Sequence, residues 1–141
     1  MSVTHYWYRP TELPADLFAA AVADCRVCLA ATAIPLGGFE GKGDPVFNDE
    51  HIVVNGVAGV DAEPFEIRRI EFDRRGRAEV FSYCKTEGLP YDICVRAALI
   101  ILKNHLGDLI KVSSDKPDWR DAIALVQQHM RYGATFSLER E

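Results

Sequence analysis

The chain has 141 residues, 48% of them apolar, with a formal net charge of -5 and four cysteines. That length fits one domain whose core needs no metal or disulfide to fold. The acidic balance excludes general nucleic-acid binding, which depends on neutralising phosphates. No apolar run reaches membrane-spanning length. The start, Met1 to Tyr8, has no basic segment followed by an apolar stretch, so no secretory leader is expected. Cys25, Cys28, Cys84 and Cys94 are too few for a secreted disulfide scaffold, and a reducing cytoplasm is the expected compartment.

His5 to Arg9 is rich in aromatics and predicts a short strand. Thr11 is placed to cap a first helix whose opening turn takes Glu12, Pro14 and Asp16. Phe18, Ala21, Val22, Cys25, Cys28 and Leu29 recur at three- and four-residue steps, so that helix should run to about Thr32 and bury this stripe. Pro35 to Pro45 holds four glycines and reads as a loop. It has neither the gap before Gly-Lys nor the following Ser/Thr of a phosphate loop. Val46-Phe47 and His51 to Val54 flank Asn48-Asp49-Glu50 as a hairpin, ended by Asn55-Gly56, a pair that tolerates positive φ. Phe65 to Phe72 and Ala78 to Cys84 read as a second antiparallel pair around Asp73-Arg74-Arg75-Gly76.

Pro90 to Leu106 is apolar on most sides and predicts the most buried helix. A strand over Leu109 to Val112 follows. The last helix spans Pro117 to Tyr132, with Trp119, Ala122, Ile123, Val126 and Met130 as its inner stripe. Gly133 is placed to end it, and Ala134 to Leu138 reads as an edge strand. The expected fold is α+β: a mixed, largely antiparallel sheet with three principal helices and one C-terminal β-α-β unit, in a single domain over 1–141.

Chemistry-bearing residues gather where strands hand over to helices. If the strands 79–84 and 109–112 are parallel neighbours, their C-terminal ends meet at one end of the sheet. Lys85, Thr86, Tyr91, Asp92, Ser113, Ser114 and Asp115 then share an edge, the usual place for ligands in open α/β sheets. The same residues are also ordinary helix starters. Cys25-Arg-Val-Cys28 falls inside an apolar stripe, so both thiols read as buried packing rather than redox or zinc chemistry. His5, His51, His105 and His129 show no metal-ligand spacing and read as dispersed surface residues. No metal or cofactor is expected. Arg68, Arg69, Arg74, Arg75 and Arg77 interleave with Glu66, Glu71, Asp73 and Glu79, a charge-laced hairpin rather than a nucleic-acid platform.

Cys84-Lys85-Thr86, Pro90-Tyr91-Asp92 and Val112-Ser113-Ser114-Asp115 carry a resemblance. The chain resembles a group of small uncharacterised bacterial and phage-associated proteins sharing a K-T-x-x-x-P-Y-D segment followed, after a helix, by an S-S-D segment. It covers about a third of the chain. The resemblance implies a phage or prophage origin and supplies no activity.

The leading expectation is a non-enzymatic binding or assembly module, homo-oligomeric or with a protein partner, using aromatics such as Tyr6, Trp7, Tyr8 and Phe136 for contact. It touches no duplex nucleic acid and no membrane, and any small-molecule ligand is unspecified. The alternative is a small enzyme for a polar or anionic small molecule. There Lys85 binds the anionic group, Asp92 or Asp115 is the acid/base, and Ser114 orients the substrate.

Overall fold

The apolar stripes decide the architecture. In the computed structural model, which describes residues 2–139, three helices lie against the inner faces of two linked antiparallel sheets. Strand β1 is Thr4–Pro10 and helix α1 is Ala15–Ala30. Short strands β2 (Leu36–Gly37) and β3 (Val46–Asn48) precede β4 (His51–Gly56) and β5 (Phe65–Arg68). Strand β6 (Glu79–Lys85) leads into helix α2 (Asp92–Leu106), followed by β7 (Lys111–Ser114) and helix α3 (Arg120–Met130). The fold is α+β, as the sequence indicated.

Helix α1 buries Phe18, Ala21, Val22, Cys25, Cys28 and Leu29, the stripe its spacing predicted. Helix α2 buries eleven side chains and packs against both α1 and α3. Its fully buried Leu and Ile residues each contribute about 1.5–3 kcal/mol by leaving water. No helix among the described residues is long and apolar enough to cross a membrane.

Strand β1, expected to be short, runs seven residues and is the centre of the sheet β6-β1-β7. It pairs with β6 from Thr4↔Lys85 to Pro10↔Glu79, and with β7 from His5↔Ser114 to Tyr8↔Lys111. Both neighbours are antiparallel to it, so β6 and β7 are parallel to each other with β1 between them. The β6-α2-β7 crossover is therefore the expected β-α-β unit, but its two strands are not neighbours. Every hydrogen-bonded strand pair among the described residues is antiparallel, so the sheet is not mixed at any pairing.

Several local expectations are corrected. The segments 65–72 and 78–84 do not pair: β5 pairs with β4, and β6 with β1. The turn between them still forms, with Gly76 at φ 70° and its N–H on the Asp73 carbonyl. Thr11 caps nothing. Pro14 starts α1, and Thr11 to Leu13 instead runs beside Arg69 to Glu71 through Leu13 N to Arg69 O and Glu71 N to Thr11 O. Gly56 does not use positive φ. It is small because a Cβ there would stand 2.2 Å from the Val60 carbonyl oxygen. The segment 134–138 forms no strand; a single bond, Glu139 N to Val112 O at 2.8 Å, lies along β7.

Arg9 anchors the end of β1 to the end of β5. Its side chain is fully buried at the seam between the sheets. It donates to the carbonyls of Pro10, Thr11, Arg68 and Arg69 and pairs with Glu71 at 3.2 Å. Those carbonyls belong to the ends of β1 and β5, where the ladders stop. One guanidinium thus ties four carbonyls at these two strand ends to a single buried side chain; two of the four, those of Thr11 and Arg69, also accept from backbone N–H groups. Arg9→Met should therefore cost about 3 kcal/mol or more in urea unfolding. A loss under about 1 kcal/mol would show that the seam does not need it.

Candidate functional site

The seven residues that the sequence grouped are brought to one end of the β6-β1-β7 sheet, but onto two faces. Ladder alternation decides which. His5, Trp7, Cys84, Val112 and Ser114 face the helices. Tyr6, Tyr8, Phe81, Tyr83, Lys85, Lys111 and Ser113 face away. Asp115 flanks Thr4 across from Lys85: the Thr4 and Asp115 backbones pair, and Asp115 Oδ1 accepts from Thr4 N at 2.8 Å.

On the inner face, Asp92 is the hub. Its Oδ1 accepts from His5 Nε2 at 2.6 Å and from the Thr86 hydroxyl. Its Oδ2 accepts from Arg96 Nε at 2.7 Å, one helical turn on. Arg96 then reaches Asp121 of α3 with Nη1 at 2.5 Å and Nη2 at 3.1 Å. Its guanidinium also lies 5.9 Å above the Trp119 ring, and His5 meets that ring edge-on at 5.2 Å. His5 Nδ1 lies 2.8 Å from Ser114 Oγ. Burial alone would push the Asp92 carboxyl up; the bonds from His5 and Thr86 and the nearby Arg96 outweigh it and lower its pKa to about 2.

Ser114, His5 and Asp92 thus form a hydroxyl–imidazole–carboxylate row, the order used to activate serine nucleophiles. Here the row is closed. His5 is 0% exposed, so no substrate atom reaches the imidazole. Both Asp92 oxygens are occupied, and Ser114 Oγ also accepts from Lys116 N at 2.9 Å. The N-terminus of α2, which would otherwise favour an anion, is occupied by Asp92 itself. Tyr91 is buried, donates to the Glu63 carbonyl at 2.5 Å, and burial pushes its phenol up. The row ties together β1, β7, α2 and, through Thr86, the end of β6.

The sequence missed His5. It read as one of four dispersed surface histidines, yet it is fully buried. Its only signal was position, in an aromatic strand whose alternate residues are buried, and its partners lie 87 and 109 residues away. Trp7 was expected as an exposed contact residue. It is 1% exposed and packs on Phe65 at 5.2 Å. Phe136 stacks on Trp119 at 5.3 Å and is partly buried. Among the described residues no group of three or more His, Cys, Asp or Glu side chains has the arrangement to hold a metal ion.

The outer face differs in kind. Phe81 stacks with Tyr6 at 6.0 Å and packs at a tilt against Tyr8 at 4.9 Å and Tyr83 at 6.2 Å. Tyr8, Phe81 and Tyr83 remain 41%, 42% and 50% exposed, so among the described residues no element covers this face. Beside them a hollow of about 380 Å³ is lined by Tyr6, Tyr8, Phe81, Ser113, Ser114 and Asp115. No family model, curated protein or solved structure matches the chain.

The division of the candidate residues between two faces has measurable consequences. Asp92→Asn leaves Arg96 facing an amide and should cost about 3 kcal/mol, beyond the roughly 0.5–2 kcal/mol of a lost helix cap. Lys85→Ala should stay within about 0.5 kcal/mol of wild type. Because the Asp92 pKa is depressed in the folded state, its contribution is complete above the ordinary aspartate value of about 3.9. It is lost as pH falls to about 2, so the gap between wild type and Asp92→Asn should narrow over that window; a constant gap would contradict the assignment.

All four thiols are buried, and burial pushes Cys28 and Cys94 up to about 11 and Cys25 and Cys84 further. A disulfide reagent at pH 8 should label none of them in the native protein and all four once it unfolds. Fast native labelling at Cys25 or Cys28 would sink the structural reading of that pair.

Proposed function

We propose that this chain is a non-enzymatic binding and assembly module that contacts protein through the outer face of the β6-β1-β7 sheet. One observation carries the reading: four aromatic rings, Tyr6, Tyr8, Phe81 and Tyr83, stand on a sheet face whose opposite side already carries the helices. An antiparallel sheet with one solvated face ordinarily presents polar residues there. Contiguous exposed aromatics instead mark a contact surface, since Tyr and Phe are enriched where protein meets protein. The reading includes the cytoplasmic setting in which free thiols persist, and the phage or prophage origin implied by the K-T-x-x-x-P-Y-D and S-S-D segments.

The enzyme reading has less to support it. It needs Lys85, Ser114 and either Asp92 or Asp115 to converge in one concave site. Lys85 and Asp115 flank Thr4 on one side of the sheet, while Asp92 and Ser114 bond His5 on the other.

Sedimentation velocity over a concentration series tests the proposal. Wild type should self-associate reversibly. Phe81→Ser combined with Tyr83→Ser should remain monomeric while keeping the wild-type unfolding midpoint, because both side chains are exposed. A wild type that stays monomeric throughout, or an association indifferent to these changes, overturns it.

A further inference from the structure

At the four corners of the outer face stand charged residues on β6 and on or beside β7, two of each sign, with Arg77 next to Glu79 just outside β6. At one end Lys85 on β6 and Asp115 beside β7 flank Thr4. At the other, Glu79 on β6 and Lys111 on β7 flank the stretch Tyr8 to Pro10 and pair across it at 3.4 Å. The signs therefore alternate around the rim, on a chain whose net charge is -5. Size alternates as well. The β6 row is bulky, with Phe81 and Tyr83, whereas the β7 row has Ser113 at its centre beside the hollow of about 380 Å³.

From this pattern we infer that the occupant of the face is a second copy of the same chain, docked about a two-fold axis running along β1. That axis lays the β6 row of each copy over the β7 row of the other. Lys85 then faces Asp115 across the interface, and Glu79 faces Lys111. Tyr83 is level with Tyr6 and Ser113, so it enters the other copy's hollow. Such an interface is isologous: every contact occurs twice. The strands stay within about 30° of alignment, the ordinary angle for stacked sheets.

The other in-plane axis, across the strands, also matches charges, pairing Lys85 with Glu79 and Asp115 with Lys111. Shape decides between the two. That axis sets Phe81 of each copy against Tyr83 of the other, bulky row on bulky row, and the β7 row on the β7 row. Packing large rows against small ones lets the layers interdigitate.

The contact is small. Two strands of seven residues and one of four, about 4.8 Å apart and rising about 3.4 Å per residue, give a footprint of roughly 290 Å². A standard stable interface buries about 800 Å² per partner. The dimer is therefore weak, concentration-dependent and sensitive to salt.

The inference rests on the proposed function, and a charge-swap experiment separates the two. Lys85→Asp and Asp115→Lys are made in separate chains, with the Glu79→Lys and Lys111→Glu pair as a second set should either of the first fail to fold. Each single variant should self-associate roughly tenfold more weakly than wild type, because like charges then face each other twice per dimer. A 1:1 mixture of Lys85→Asp with Asp115→Lys should return association close to wild type. In the mixed dimer each altered position faces the other altered position, and the unaltered Lys85 faces the unaltered Asp115. The axis across the strands leaves two repulsive contacts in that mixture and restores nothing. An unrestored mixture, beside a wild type that associates through Phe81 and Tyr83, overturns the axis and leaves the proposed function standing. A wild type that does not associate overturns both.

Discussion

The Asp92 carboxylate is the joint on which this end of the molecule depends. It opens helix α2, and its two oxygens take donors from β1, from the end of β6 and from the next turn of α2. A buried carboxylate is costly unless each oxygen is bonded and a countercharge stands near. Here three side chains meet that demand, and Arg96 passes the connection on to Asp121 at the start of α3. The side chains surrounding Asp92 thus hold the crossover helix, the central strand and the last helix in one geometry. Slipping β1 by one residue would turn His5 outward and leave the carboxylate without its partner.

This arrangement separates the bonds that hold the fold from the face left open to solvent. The polar residues that look catalytic in sequence are used to hold the fold: Thr86, Asp92 and Ser114 have their bonding capacity filled from inside. What is left unfilled is apolar and lies on the opposite side of the same strands, where Tyr8, Phe81 and Tyr83 stand exposed. Strand β1 serves both roles because its period is two. His5, Trp7 and Arg9 lock the interior, while Tyr6 and Tyr8 build the outer surface.

Local patterns were legible in the sequence and long-range partners were not. The α1 stripe, the near-complete burial of α2 and the turn at Gly76 followed from spacing and residue type. The C-terminal β-α-β unit was also readable, but the insertion of β1 between its strands was not. Those pairings join residues 69 to 81 positions apart with β6 and 103 to 109 apart with β7, and nothing in any of the segments names the others. The same distance hid His5, whose role exists only after β1 lies between β6 and β7. Thr11 looked like a helix cap because its neighbourhood fits one, yet the backbone there pairs with Arg69 to Glu71 instead. Seven candidate site residues were placed at the right end of the sheet. Their division between two faces required the register, which sequence periodicity leaves open at strand ends.

The central claim is that the inner cluster is structural and that the outer sheet face meets other protein. A dilution series of backbone amide spectra tests it most directly, residue by residue. The account predicts concentration-dependent shifts at Tyr6, Tyr8, Phe81, Tyr83, Lys111 and Ser113, with the helix α1 and the strands β3 to β5 unchanged. Spectra independent of concentration, or shifts centred on α1 or on β3 to β5, would contradict it.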